Sequence, residues 1–373
     1  MSDAIADASD VDEVEGISHD PEYAEAGIDE EMRLSCELHD IKSAESIIID
    51  NIADLSDKWL SFACEYGFTQ ICLKLLDLNL NVNHRCNITG WTPLLLASEK
   101  GYIDCINALI NKGADINMKA ITPSGWTSLH GGSEYGHCDV VLKLINNGAI
   151  IDDIDHSGKT PLMISCLNGN VKLTKLLLEN GANYNILNNE GRSALALASY
   201  NGHIENISLL VMWGANFSKS DLEKKTPLHC SSYNGHVNIV KYLLRVGINI
   251  DAQDTDGDTA LHIAHFRGHF NVALVLIESG ASLNIKNHDG ENNWKRMLLI
   301  PNPERLLLKN AYTRYENWKR RKNFLIFLVS YDIIQSGKRN PQQKTFFTTK
   351  LQKSEKILNK CMYLYYKLFV AFL

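Results

Sequence analysis

The chain has 373 residues, with 44 acidic and 37 basic side chains and a formal net charge of −7. Its leader has no apolar core of the kind a secretory signal needs, and the apolar runs Asn323–Ile334 and Cys361–Leu373 are too short and too interrupted to span a bilayer, so the composition points away from secreted and membrane-spanning classes. Nine cysteines, odd in number and without a C-x-x-C pair, read as reduced thiols of an intracellular protein, not as a disulfide framework.

In chain order, residues 1–31 form an acidic leader opening Asp3, Asp7, Asp10, Asp12, Glu13, Glu15, with about a dozen carboxylates and no Lys or Arg. Such a segment is expected to be disordered. Residues 32–56 carry an apolar stripe of Leu34, Ile41, Ile47 and Ile48 and read as a worn capping unit. Between 57 and 290 one pattern recurs at a step of about 33 residues. Units begin near Asp57, Ile88, Ala120, Asp155, Asn188, Ser220 and Asp254. A turn glycine recurs at Gly90, Gly125, Gly158, Gly191, Gly257 and Gly290. A second glycine recurs at Gly67, Gly101, Gly136, Gly169, Gly202, Gly235 and Gly268, and a third at Gly113, Gly148, Gly181, Gly214, Gly247 and Gly280.

Each unit is predicted to be a pair of short helices. Thr92-Pro93, Thr160-Pro161 and Thr226-Pro227 open a helix, because Pro in the first turn gives up an N–H that has no helical partner anyway. The second and third glycines end the two helices in the left-handed conformation. Asn79 holds the third glycine's place in the first full unit, the residue that best tolerates that geometry after Gly. Gly131-Gly132 falls inside a first helix, where each Gly costs about 1 kcal/mol relative to Ala. The array is therefore expected to be softest there. Residues 291–300, with Trp294, Met297 and Leu298, read as a half-repeat cap. Residues 301–373 read as a basic, largely helical extension, opening at Asn302-Pro303-Glu304.

The motifs Thr92-Pro93-Leu94, Thr160-Pro161-Leu162, Thr226-Pro227-Leu228-His229 and Thr259-Ala260-Leu261-His262, followed by Gly-His and Gly-Ala closures, resemble the ankyrin repeat. The resemblance covers roughly residues 57 to 290. It implies an all-α solenoid of paired antiparallel helices with β-hairpin or loop fingers, here followed by a helical C-terminal extension. It also implies a binding scaffold whose partners meet the fingertips and the concave face of the first helices.

No residue set asks for catalysis, a cofactor or a metal. His262, His265 and His269 are spaced like metal ligands, but His130 and His229 repeat one of those positions and His137, His203 and His236 another. In the resembled family such histidines hold turns together by hydrogen bonds. No Walker loop, G-x-S-x-G or H-E-x-x-H occurs, and no small-molecule substrate is implied.

The function is therefore expected on the surface, and the partner-binding candidates are Trp91, Trp126, Tyr135, Tyr200, Tyr233, Phe266 and Arg267. Aromatics on a concave face anchor protein partners; at these positions they also pack between neighbouring units. Lys319-Arg320-Arg321-Lys322 resembles a nuclear-import signal and equally suits a solvated helix face. The expected setting is the cytoplasm, with the nucleus as a second address. Binding to nucleic acid or an acidic membrane surface would fall to the basic tail alone. A second reading makes the chain the substrate-recognition subunit, or adaptor, of a larger enzyme complex such as a ubiquitin ligase. Asn117 resembles an asparagine that hydroxylases modify in the family, against an ordinary loop-capping role. The sequons at Asn87, Asn206 and Asn216 are read as accidental.

Overall fold

A computed structural model describes residues 28–51, 56–86, 90–121, 124–292 and 308–317. The helices pair in sequence: α1 (Ile28–Glu37) with α2 (Ile41–Asp50), α3 (Lys58–Glu65) with α4 (Thr69–Asp77), α5 (Pro93–Lys100) with α6 (Ile103–Asn111), and α7 (Ser128–Glu134) with α8 (Cys138–Asn146). The pattern continues through α9 (Pro161–Leu167) and α10 (Val171–Glu179), α11 (Ala194–Asn201) and α12 (Ile204–Met212), and α13 (Pro227–Tyr233) and α14 (Val237–Val246). These belong to a first compact unit that ends at Thr255. A second unit, from Asp256, holds α15 (Ala260–Phe266), α16 (Phe270–Glu278) and α17 (residues 308–317).

Sequence and local structure agree closely at the helix ends. Thr92, Thr160 and Ser193 sit in extended backbone just before their helices and accept from the N–H of Leu95, Met163 and Ala196. Pro93, Pro161 and Pro227 occupy the first turn. Asn79 has φ +63°, the left-handed geometry its place required. Lys224 stands where other units have a turn glycine and takes φ +58°, at a cost of about 1–2 kcal/mol relative to an unstrained site.

One short helix has too little apolar surface to stand alone. Leu94, Leu129, Leu162, Leu195 and Leu228 of successive first helices are buried, as are Ile106, Leu109, Val141, Leu144, Leu173, Leu177, Ile207, Leu210, Val240 and Leu243 of the second helices. At about 1.5–3 kcal/mol for each buried aliphatic side chain, this repeated seam is what holds the stack.

Of the two expected forms of finger, β-hairpin or loop, the fingers take the loop form. Among the described residues they are hydrogen-bonded turns without strands, and one isolated antiparallel bridge joins Lys286 and Asn292. In three successive fingers a buried Asx side chain shapes the loop. Asp155 Oδ1 accepts from the N–H groups of Ser157 and Lys159, Asn188 Oδ1 from Glu190 and Arg192, and Asp221 Oδ1 from Glu223 and Lys225. Neighbouring tips are tied by single backbone bonds: Asn189 N–H donates to Ser157 O at 2.9 Å and Leu222 N–H to Glu190 O at 3.0 Å. The loops satisfy themselves locally and need no ladder.

The N-terminal boundary also moves. The worn unit does supply a helix pair, but α1 starts at Ile28, inside the stretch read as leader. The carboxylates Asp29, Glu30 and Glu31 lie in its first turn, where the helix dipole favours negative charge. Asp29 further accepts from Trp59 Nε1 at 2.7 Å, and Arg33 pairs with Glu30 and Glu37. Trp294, Met297 and Leu298 of the half-repeat cap, the helix start at Asn302 and Cys361 lie outside the described residues. In the second unit Leu308 and Ala311 of α17 are buried, and the Tyr315 hydroxyl occupies the space a side chain on Gly280 would need.

The paired glycines of α7 have a packing reason. A Cβ on Gly131 would lie 3.5 Å from Glu99 N, an ordinary contact, whereas one on Gly132 would press on Val140 Cγ1 at 3.2 Å and Val141 Cγ2 at 3.3 Å. Gly131→Ala is expected to stabilise the first unit by about 0.5–1 kcal/mol through helix propensity, and Gly132→Ala to give no gain. Urea titration of both variants checks this; equal gains would mean that the tight approach of α7 and α8 contributes nothing.

Candidate partner-binding face

Three kinds of residue recur along the first helices, turns and fingers of the first unit, and the structure separates those that hold the stack from those it displays. The histidines are structural, as their recurrence implied. Thr127 and Thr226 donate their N–H to Nδ1 of His130 and His229, and the second unit repeats this at Thr259 and His262. The Gly-His histidines reach back one repeat, with Nε2 of His137, His203 and His236 meeting the carbonyls of Glu99, Leu167 and Tyr200 at 2.9, 2.9 and 2.8 Å. No group of three His, Cys, Asp or Glu able to hold a metal occurs among the described residues.

A second set of ties was missed in the sequence. Asn168, Asn201 and Asn234 donate their amides to the carbonyls of Glu134, Leu167 and Tyr200. Leu167 O and Tyr200 O therefore each accept two bonds from the following repeat. The signal was the recurrence of Asn just before the second glycine in three consecutive units.

The candidate aromatics fall into different environments. Trp91 is only 8% exposed and stacks on Trp126, with ring centroids 6.3 Å apart, over Leu95, Leu96 and Ala120. This pair seals the early fingers, and Trp126 keeps part of its ring at the surface. Tyr135 is 52% exposed and lies beside His137. Burial raises its hydroxyl pKa, and the charge and hydrogen bonding of Glu99 raise it further. Phe266 is 66% exposed in the second unit, next to exposed Arg267.

Tyr200 and Tyr233 form the best-organised tier. Both are half-buried, with centroids 6.0 Å apart and planes 23° from parallel. The Arg192 guanidinium lies 5.9 Å from the Tyr200 centroid, within cation–π range. Arg192 is itself held by Glu190 at 3.0 Å and by the buried Asp221 at 3.5 Å. Burial lifts the Asp221 carboxyl above its usual range even though the Lys225 N–H and Arg192 pull it down. With the Tyr200 carbonyl tied by both Asn234 and His236, the ledge is preorganised by backbone and side chain alike.

Several other sequence readings find a place here. Asn117 has both ends of its amide engaged, Nδ2 donating to Gly148 O at 3.1 Å and Oδ1 accepting from Ile150 N at 2.9 Å, so it acts as a loop tie. Asn206 is buried and donates to Thr174 Oγ1 at 2.7 Å, which removes that sequon from the surface. The eight cysteines among the described residues are free thiols; Cys230 is buried and Cys138 is partly exposed. No helix among the described residues is long and apolar enough to cross a membrane. The run Lys319-Arg320-Arg321-Lys322 lies outside the described residues.

Comparison with known proteins gives the same repeat. The family model for ankyrin repeats (three copies) matches overlapping stretches at 36–120, 60–155, 129–221 and 214–287. Similar curated proteins include the ankyrin repeat and KH domain-containing protein mask of Drosophila melanogaster, 42% identical over 65 residues, which is 17% of this chain and 2% of that protein. The human ankyrin repeat and KH domain-containing protein 1 is 40% identical over 65 residues, with the same coverage. The Caenorhabditis elegans protein mask-1 is 32% identical over 110 residues, covering 30% of this chain and 4% of that protein. The matched part of this chain thus spans only a few per cent of these relatives.

Proposed function

This chain belongs to the ankyrin repeat family, and on that premise we propose that it is a non-catalytic scaffold binding partner proteins through the inner face and fingers of its first unit. Ankyrin repeats generally mediate protein–protein interaction. The observation that carries the reading here is the Tyr200–Tyr233 tier, a half-buried aromatic ledge whose geometry is set before any partner arrives. Preorganised aromatic surface loses little side-chain entropy on binding, the usual property of an interface anchor.

The test is affinity capture with the full chain, quantified by mass spectrometry, against a Tyr135→Ala/Tyr200→Ala/Tyr233→Ala variant whose folding is verified by circular dichroism. Partners held by the ledge are expected to fall at least tenfold in occupancy. Undiminished capture would remove the inner face as the site. The adaptor alternative places the docking of an enzyme assembly in residues 301–373, and deletion of that segment tests it by loss of the associated enzyme with the client retained. The proposed setting is the cytoplasm, with nuclear entry depending on Lys319-Arg320-Arg321-Lys322; a fluorescent fusion with these four changed to alanine tests that address.

A further inference from the structure

Three buried thiols from two successive helix pairs meet near the N-terminal end of the first unit. Cys64 lies in the last turn of α3 and Cys72 in the first turn of α4. Their sulfurs are 3.7 Å apart. Cys105 of α6 interacts with Cys72 in turn, and its sulfur lies 3.5 Å from Thr69 Oγ1. All three side chains are fully buried, and all three are free thiols.

The repeat itself does not require this contact. Cys166 and Thr174 hold the same two positions three units later, with sulfur and hydroxyl 3.7 Å apart. In other units the second position is Ile106, Val141, Ile207 or Val240. Threonine or an aliphatic side chain therefore satisfies the packing, and the paired sulfurs bring a chemistry that packing does not need.

We propose that Cys64 and Cys72 form a reversible oxidation site, a dithiol that a peroxide converts to a disulfide joining α3 to α4. One thiolate attacks a peroxide oxygen, breaking the O–O bond and giving a sulfenic acid; the second thiol then attacks that sulfur. Two S–H bonds are lost, one S–S bond forms, and the two electrons and two protons leave with the peroxide as two waters. The sulfurs close from 3.7 Å to about 2.0 Å.

Access to the pair is gated by the fold. Burial raises the Cys64 thiol pKa; the bond to Cys72 opposes this, and Cys105 and Cys36 add to it. At Cys72 the bond to Cys105 lowers the pKa, but the bond to Cys64 and burial raise it further, so the thiol ends above its usual range. The thiolate is the reactive form. The closed fold therefore protects the pair, and reaction passes through local opening of α1 and α2, of which α1 packs on α3. Asp29 holds α1 closed by accepting from Trp59 Nε1 at 2.7 Å and Lys58 Nζ at 3.4 Å. The disulfide thus forms when the end of the array loosens, and it then restrains the helix pair that the opening uncovered.

The experiment treats the full chain with hydrogen peroxide at a level that leaves its circular dichroism unchanged, followed by intact mass and by peptide mapping without reduction. A loss of two hydrogens with a Cys64–Cys72 linkage is expected, reversed by dithiothreitol. Cys72→Thr, which copies the Cys166–Thr174 contact, should keep the fold and lose the linkage. Asp29→Ala should speed linkage at least threefold. Hydrogen exchange of α3 and α4 should slow about tenfold once the bond has formed. An unreacted chain, sulfinic or sulfonic products without a linkage, or a Cys72–Cys105 linkage overturns the assignment of this pair. A rate indifferent to Asp29→Ala overturns the gate.

Discussion

Gly158→Ala is expected to destabilise the first unit by roughly 2–4 kcal/mol, about twice the loss from Gly148→Ala. Both glycines have positive φ, +78° and +95°, so each substitution carries the left-handed penalty of about 1–2 kcal/mol. The surroundings differ. A Cβ on Gly148 meets nothing within 4 Å, whereas one on Gly158 would lie 2.7 Å from the backbone nitrogen of Asn189. That nitrogen donates to Ser157 O, and the Asn189 amide donates to His156 O at 2.8 Å. Moving the next finger away breaks the tie between them, and each lost or poorly satisfied bond adds about 1–3 kcal/mol. Urea unfolding of both variants decides it. Equal losses would show that the finger-to-finger ties add nothing beyond the conformation of the glycine itself.

His130→Ala is expected to cost roughly 2–4 kcal/mol at pH 7.5 and to make stability less dependent on pH. The ring is fully buried. Nδ1 accepts from Thr127 N–H at 3.2 Å and lies 2.8 Å from Thr127 Oγ1, while Nε2 meets Lys159 O at 3.2 Å. These partners require the neutral ring with its proton on Nε2. Alanine leaves a cavity and strands buried polar groups. Burial lowers the imidazole pKa below the usual 6.5, overcoming the raising influence of the Lys159 carbonyl, Asp155 and Asp153. Between that folded value and 6.5 the unfolded chain binds a proton that the native chain does not. Stability is therefore complete above about pH 6.5 and declines as pH falls through 6.5 toward the folded value. Unfolding titrations at pH 7.5 and 5.5 should show a decline in the parent chain and a smaller one in His130→Ala. Parallel declines would mean that protonation of His130 is not linked to folding.

Local chemistry made most of the helices legible. Thr-Pro starts, glycine stops and Asn79 in a glycine slot act within a few residues, so each could be read before any packing was known. The recurrence of His130, His137, His203, His229 and His236 marked a repeated set, although the carbonyls that His137, His203 and His236 meet lie one repeat back. The α1 start was obscured because a run of carboxylates looks alike in a solvated leader and in the first turn of a helix. Trp59 and Lys58, about thirty residues away, distinguish the two by bonding Asp29.

The candidate face was legible as a set of positions and not as a set of roles. Trp91 and Tyr135 had equal standing as aromatics, yet one is buried under a stacked partner and the other is exposed. Asn168, Asn201 and Asn234 looked like variable surface residues and are ties across 34 positions of sequence. The sequence by itself determined the repeat, its period, its helix ends and therefore its family, because those depend on backbone preferences and on a seam of buried apolar residues repeated unit by unit. Only the tertiary structure decided which residues face outward. That outcome depends on how one unit stacks on the next, a relation between residues some thirty positions apart that no local pattern encodes.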